Sequence, residues 1–267
     1  MTDLAIVIVS YNACEDLARC LASLHSHPPA ATHSIVVVDN QSSDASADAA
    51  RAWPAVRVIE LPANRGFAAA NNVGIRATDS EFVLLLNSDT IVPEGAVDGL
   101  IATLRAHNEV AAVGPRLVDG TGRVELSFGR MISPLQELRQ RRLQRRHAEH
   151  ALDETCAVET MTRHMSRPDW VSGACLLVRR ADAVAAGLLD ERYFMYTEDV
   201  DFCATLRSSG RGILYAPDVQ VVHLRGRSAS SAPAATRAAY RDSHMAFYEK
   251  HHPRWARVLR WYRHFLQ

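Results

Sequence analysis

Residues 4–9 of LAIVIVS are apolar without interruption, as a strand covered on both faces of a sheet requires. The next stretch, CEDLARCLASLHSH, has the apolar spacing of a helix, and Asn12 and Glu15 are placed like a capping box at its start. The alternation then repeats. HSIVVVDNQSSD is a strand and loop, with Ser43 or Asp44 as the cap of ASADAARAW; VRVIELP is a strand, GFAAANNVGIRAT a helix and EFVLLLNSD another strand. Such β and α alternation predicts an α/β fold with a mostly parallel, Rossmann-like sheet flanked by helices. Beyond about residue 114 the pattern loosens. VGPRLVDGTGRVELS reads as short strands around an Asp119-Gly120 turn, LQELRQRRLQRRHAEHALDE as a polar helix, and the C-terminal stretch as two helices broken at Pro253.

The bulk properties narrow the classes. A chain of 267 residues is within reach of one α/β unit. Thirty Lys and Arg offset thirty Asp and Glu, so no global basic field draws the protein onto nucleic acid. Cys14, Cys20, Cys156, Cys175 and Cys203 are odd in number and lack the spacing of a zinc site or disulfide framework, which points to a reducing, cytoplasmic setting. The N-terminus lacks a basic n-region, and no apolar run reaches the ~20 residues needed to span a bilayer.

In an open parallel sheet, ligands sit beyond the carboxyl ends of the strands. There the sequence places Ser10-Tyr11-Asn12, Asp39-Asn40, Asn64-Arg65-Gly66 and Asn87-Ser88-Asp89. Singly, each is a turn or a helix cap. Together they line one rim with hydroxyl, amide, carboxylate and guanidinium groups. A nucleotide suits that rim, yet neither a G-x-G-x-x-G nor a G-x-x-x-x-G-K-[ST] motif is present to cradle its phosphates. A divalent cation on Asp89, Mg²⁺ or Mn²⁺, would supply the counter-charge, leaving Asp39 for ribose or base and Arg65 for a phosphate.

The segments IVIVSYN, VVVDNQSSD, NRGFAAANNVG, LLLNSDT, WVSGACLLVRR, FMYTEDVDFC and VVHLRGRSA occur in an order and spacing that resemble the family 2 glycosyltransferases, and most closely their bacterial rhamnosyltransferase-like branch. The resemblance runs from about residue 4 to residue 231. It implies a GT-A domain over 1–231, with a nucleotide-sugar-binding half (1–114) and an acceptor and catalytic half (115–231), followed by a helical extension (232–267). It further implies an inverting transfer from a nucleotide-diphospho-sugar, with dTDP-rhamnose favoured and UDP- or GDP-sugars possible. The acceptor would be a glycan or lipid-linked hydroxyl in cell-envelope polysaccharide synthesis. Ser10, Tyr11, Asn12, Asp39, Asn64, Arg65, Gly66, Asn87 and Ser88 fall to the donor. Asp89 matches the family's ion contact, although Asn87 replaces the first carboxylate of its usual Asp-x-Asp.

An inverting transfer needs a base for the acceptor hydroxyl. Glu198-Asp199-x-Asp201 is the candidate cluster, although acids at a helix start are also favoured by its dipole alone. The resemblance aligns Asp199 with the base and leaves Glu198 to orient it or touch the acceptor; Asp201 points elsewhere and reads as a fold residue. His223, ending an apolar run, is a hydrogen-bonded structural histidine or, by resemblance, a further metal ligand. LRGRSASSAP after it suits a loop closing over phosphates or a solvated linker. Trp170, beside the small-residue turn at Gly173, is either core or an acceptor-side platform. In the tail, Trp255, Leu259 and Tyr262 share helical spacing among arginines, so the segment either docks on the domain, the reading preferred here, or lies peripherally on a membrane at its inner face. A nucleotidyltransferase would need a Gly-rich basic loop where SYNACED stands, and a non-catalytic nucleotide-sugar-binding protein would not need Asp89, Asp199 and His223 together.

Overall fold

Seven of the apolar runs and short strands build one sheet around β1, Thr2–Ser10. A computed structural model of the chain describes residues 2–133, 136, 158–224 and 233–265; the labels below count the elements so described. β1 pairs in parallel with β2 (His33–Asp39) and β4 (Ser80–Asn87), and β2 with β3 (Val56–Glu60). Register sets Ser10 beside Asp39 and Val9 beside Asn87, so the polar ends of three strands reach one level. The sheet continues through β9 (Cys175–Arg179), β6 (Val110–Val118), β10 (Gly212–His223) and β5 (Thr90–Ile91) in the order β3-β2-β1-β4-β9-β6-β10-β5. β9 lies antiparallel to both β4 and β6. Phe128–Gly129 (β7) and Trp170–Val171 (β8) form a separate small pair.

The continuous apolar runs are buried on both sides. Leu4, Ile6 and Ile8 of β1 join one core with α1 (Cys14–Ser26) and α4 (Ala96–Ala106), while Val7 points into the opposite core. α1 turns Leu17, Cys20, Leu21 and Leu24 inward, the spacing of one helical face. α3 (Gly66–Arg76) approaches the sheet closely because its inner face is small: a Cβ on Gly74 would stand 2.3 Å from Val7 Cγ1.

The capping box at Asn12 and Glu15 does not form. Asn12 has a positive φ of 50°, and its Oδ1 accepts from the Ser43 N–H and hydroxyl. The donors at the start of α1 are met from the loop after β2 instead: Ala13 N bonds Ser46 Oγ and Cys14 N bonds Asp44 Oδ2. Asp44 also accepts from Ser46 N, at the first residue of α2 (Ser46–Arg51), so it serves two helices. The Asp119-Gly120 turn is formed, with Asp119 Oδ1 accepting from Thr121 and Arg123 N–H.

Further along come α5 (Arg180–Ala185), α6 (Glu198–Ser208), α7 (Pro233–His251) and α8 (Pro253–Phe265). Pro253 opens α8, where its missing N–H leaves no helical bond unmade. Phe247 and Tyr248 of α7 and Ala256 of α8 are buried with Tyr193 and Val200, so both C-terminal helices dock on the domain. The docking face differs from the one expected. Leu259 packs against that cluster, but Trp255 is exposed, and the Tyr262 side chain lies outside what is described. The polar helix expected over 135–154 and the loop at 225–232 also lie outside the described residues, Gln136 excepted.

Candidate active site

At the aligned ends of β1, β2 and β4, Ser10 Oγ, Asp39 Oδ1 and Asn87 Oδ1 are buried with no hydrogen-bond partner among the described residues. Buried polar atoms are seldom left so, and three at one rim mark where a ligand's polar groups fit. Asp39 keeps its other oxygen on the Ser42 N–H at 2.9 Å, which fixes the carboxylate. Tyr11 is exposed just past β1, and Ser88 is buried in the turn after β4.

The rest of the donor set is built into loop structure. Asn40 Nδ2 donates to Asn64 Oδ1, and its Oδ1 accepts from Arg65 N, clamping the loop before α3. Gly66 has φ +80°, and a Cβ there would lie 2.2 Å from Phe194 O, so only glycine lets α3 start against the 194 backbone. Arg65 is held outside by Glu191 at 2.9 Å.

The metal candidates meet through β5 and β10, which pair His223 with Thr90; Leu224 N bonds Asp89 O. His223 Nε2 is 3.3 Å from Asp89 Oδ1, and its Nδ1 is 3.2 Å from Glu125 Oε2. Burial works against charge on the imidazole, but the bonds to and charges of Asp89 and Glu125 outweigh it and raise His223 to about 9. Glu125 thus holds one ring nitrogen and turns the other toward Asp89, as outer-shell carboxylates do for metal-binding histidines. Once the ring nitrogen facing Asp89 gives up its proton, the imidazole and the carboxylate, next to the open Oδ1 of Asn87, fit a divalent ion, so an ion there would compete with that proton. No cluster of three or more such ligands occurs among the described residues.

Across the sheet, Tyr196 and Thr197 both adopt positive φ, 71° and 72°, immediately before α6. Two such non-glycine residues in succession store strain of the sort found at functional turns. They present Glu198 and Asp199. Asp199 Oδ2 accepts from Gly173 N at 2.9 Å and Oδ1 from Val200 N at 2.8 Å. A Cβ on Gly173 would press to 3.2 Å from Asp199 Cβ, so the glycine admits the carboxylate. Burial pushes Asp199 above the usual carboxylate range against these bonds. Glu198 is raised further, by burial and then by the neighbouring Asp199 charge, and its Oε2 has no partner among the described residues.

Strand-end polar atoms, a carboxylate–imidazole pair and an elevated carboxylate thus occupy one α/β scaffold, and a sequence profile for Glycosyl transferase family 2 matches residues 5–170. The chain belongs to that family. This glycosyltransferase is 33% identical, over 98% of its length and 89% of the relative's, to an N-acetylglucosaminyl-diphospho-decaprenol L-rhamnosyltransferase of Mycobacterium tuberculosis. It is 24% identical to a low-salt glycan biosynthesis hexosyltransferase of Haloferax volcanii, over 84% of this chain and 67% of that one. Its fold is GT-A. A mannosyltransferase of Pyrobaculum calidifontis, solved with GDP-Man and Mn²⁺, superposes with a TM-score of 0.66 at 18% identity, covering 93% of this chain and 64% of that one.

The glycosyltransferase uses Asp201 for architecture. Its carboxylate, 1% exposed, accepts from Tyr193 OH at 3.1 Å, Lys250 Nζ at 2.8 Å and His251 Nε2 at 2.6 Å, tying α7 to α6. Trp170 donates its indole N–H to Arg130 O and packs its half-buried ring toward the Tyr193 and Phe247 cluster. Glu125 escaped the sequence reading. It stands 98 positions from His223, and nothing in its local pattern connects the two.

Proposed function

We propose that this glycosyltransferase transfers rhamnose from dTDP-rhamnose, with inversion, to a hydroxyl of a lipid-linked glycan during cell-envelope polysaccharide synthesis. The rhamnosyl group and the lipid-linked acceptor class rest on the 33% identity across nearly the whole chain to a mycobacterial enzyme named as an N-acetylglucosaminyl-diphospho-decaprenol L-rhamnosyltransferase. Work at the inner membrane surface follows from such an acceptor. The division at about residue 114 into donor and acceptor halves accords with where the rim atoms and the carboxylate pair fall.

The observation that carries the chemistry is Asp199, partly buried, elevated and fixed by Gly173 N–H. A base works best with its pKa near the operating pH, and burial moves this carboxyl that way. Asp199 takes the acceptor hydroxyl proton as that oxygen bonds the anomeric carbon; the carbon's bond to the diphosphate oxygen breaks, and the nucleoside diphosphate leaves with the electron pair. Glu198 lies beside the base and orients the acceptor. Asp39 and Ser10 receive the nucleoside, and Asn87 lies at the diphosphate end. A divalent ion, when bound by Asp89 and His223, neutralises charge on the leaving diphosphate. Arg65 can join it, because its pairing with Glu191 is exposed and such pairs are weak.

The test is transfer with purified protein, Mn²⁺ and a polyprenyl-diphosphate GlcNAc acceptor, offering dTDP-rhamnose, UDP-GlcNAc and GDP-mannose in parallel and reading products by mass. A rhamnosylated product is expected. A product from another donor only would overturn the donor assignment, and no product from any donor on that acceptor would overturn the acceptor.

A further inference from the structure

Helix α8 carries apolar residues on two sides, and the fold buries one. Ala256 is buried and Leu259 packs beside it against Tyr193, Val200, Phe247 and Tyr248. Trp255, Val258 and Trp261 are 50%, 52% and 64% exposed. Spaced three apart, they fall within an arc of about 120° along the helix, displaced from the docked face. A protein surface seldom presents two tryptophans and a valine in one row without a use.

The charge around the row says what covers it. Residues 253–267 contain Arg254, Arg257, Arg260 and Arg263 and no Asp or Glu. Arg254 and Arg257 are exposed, whereas Arg260 bonds Glu249 of α7. A second copy pairing through the same face about a two-fold axis would set arginine against arginine. An anionic bilayer meets both features, since indoles settle at the level of the headgroups and arginines pair with acidic lipid. No described helix is long and apolar enough to cross a membrane, so the contact would lie flat.

We propose that α8 docks the protein on an anionic membrane surface, with Trp255, Val258 and Trp261 in the interface and Arg254 and Arg257 at the phosphates. The inference goes beyond the transfer reaction and does not depend on the donor or acceptor assigned above. The docked Ala256 and Leu259 face stays against the domain, so the protein binds as a folded unit.

The experiment is cosedimentation of the full chain with phosphatidylcholine vesicles, with and without phosphatidylglycerol, at low and high salt. Two variants accompany it: Trp255→Ser/Val258→Ser/Trp261→Ser and Arg254→Gln/Arg257→Gln. Wild type is expected to sediment with the anionic vesicles and to be released by salt. The triple variant should lose at least about tenfold in partitioning. The arginine variant should lose roughly fivefold for each arginine removed. Thermal melts of both should match wild type, because the changed side chains are exposed. Anionic-vesicle binding no stronger than to phosphatidylcholine alone, or unchanged in both variants, overturns the proposal. So does a wild-type dimer in light scattering that the triple variant abolishes, which would assign the row to a second copy.

Discussion

Replacing Glu198 by glutamine should stabilise this enzyme while slowing it. The residue is 6% exposed, its Oε2 has no partner among the described residues, and the Asp199 carboxylate adjoins it. Burial and that neighbouring charge raise its pKa well above the ordinary 4.5. Between the unfolded and folded values the native state therefore holds more protons than the unfolded chain, so stability falls as pH climbs through that window and stays reduced above it. Glutamine cannot ionise and escapes this loss. An unmade bond at a buried polar atom costs about 1–3 kcal/mol, and more when charged; the amide keeps an unpaired end, so only the charged part, about 1–2 kcal/mol, is recovered. For a chain of this size that is a rise in Tm of roughly 2–8 °C at about pH 8, shrinking toward zero as the pH approaches 4. Urea unfolding of wild type and variant across that range measures the gap. A variant less stable than wild type at pH 8, or a gap independent of pH, would refute the reasoning. Asp199→Asn is the contrast, because both Asp199 oxygens accept N–H bonds. An amide turns its NH₂ on one of those donors and should cost about 1.5–3 kcal/mol.

Asp199→Asn should also lower turnover by ~10²–10⁴ with diphosphate affinity intact, measured by initial rates and calorimetry; Asp201→Asn should spare turnover at low temperature yet unfold earlier in urea, and equal rate losses in the two would move the proton to Glu198. Asp89→Ala should abolish, and His223→Ala weaken, Mn²⁺-dependent stabilisation by TDP in a thermal-shift titration, with chelation doing the same to wild type. Undiminished transfer in excess EDTA would return the phosphate charge to Arg65 and the arginines after His223. Gly66→Ala forces a Cβ to 2.2 Å from Phe194 O at φ +80° and should destabilise by about 2–4 kcal/mol in urea unfolding; a loss under ~0.5 kcal/mol would mean the 194 loop yields freely.

The shared rim of Ser10, Asp39 and Asn87 was readable in the sequence because sheet topology does most of the placing. Once LAIVIVS, HSIVVVD and EFVLLLN are parallel neighbours, Ser10, Asp39 and Asn87 must end together, as the register shows. Local signals failed where distant atoms compete for the same groups. Asn12 and Glu15 have capping-box spacing, yet Ser46 and Asp44, some thirty residues on, satisfy the donors near the start of α1, and Asn12 turns left-handed to bind Ser43. The antiparallel β9 could not be foreseen, since its direction follows from the path taken between β6 and β9, where periodicity is weak. In α8 the spacing of Trp255, Leu259 and Tyr262 suggested one apolar face, but Phe247 and Tyr248 on α7 decide which residues dock.

Asp199 and Asp201 join these threads. Two residues apart on a helix, they project about 200° from one another, and that geometry alone separates a candidate base from an architectural acid. What the sequence could not tell is how firmly the two are coupled. Asp201 accepts from Lys250 and His251 of α7 and from Tyr193, and Ser243 of α7 donates its hydroxyl to Met195 O, directly before the strained Tyr196 and Thr197. Helix α7 therefore grips both ends of the turn that aims Asp199. A left-handed threonine costs energy that only surrounding contacts can hold in place. Without α7 the turn loses these contacts at both ends, and the candidate base would lose its direction although every residue of the rim remained.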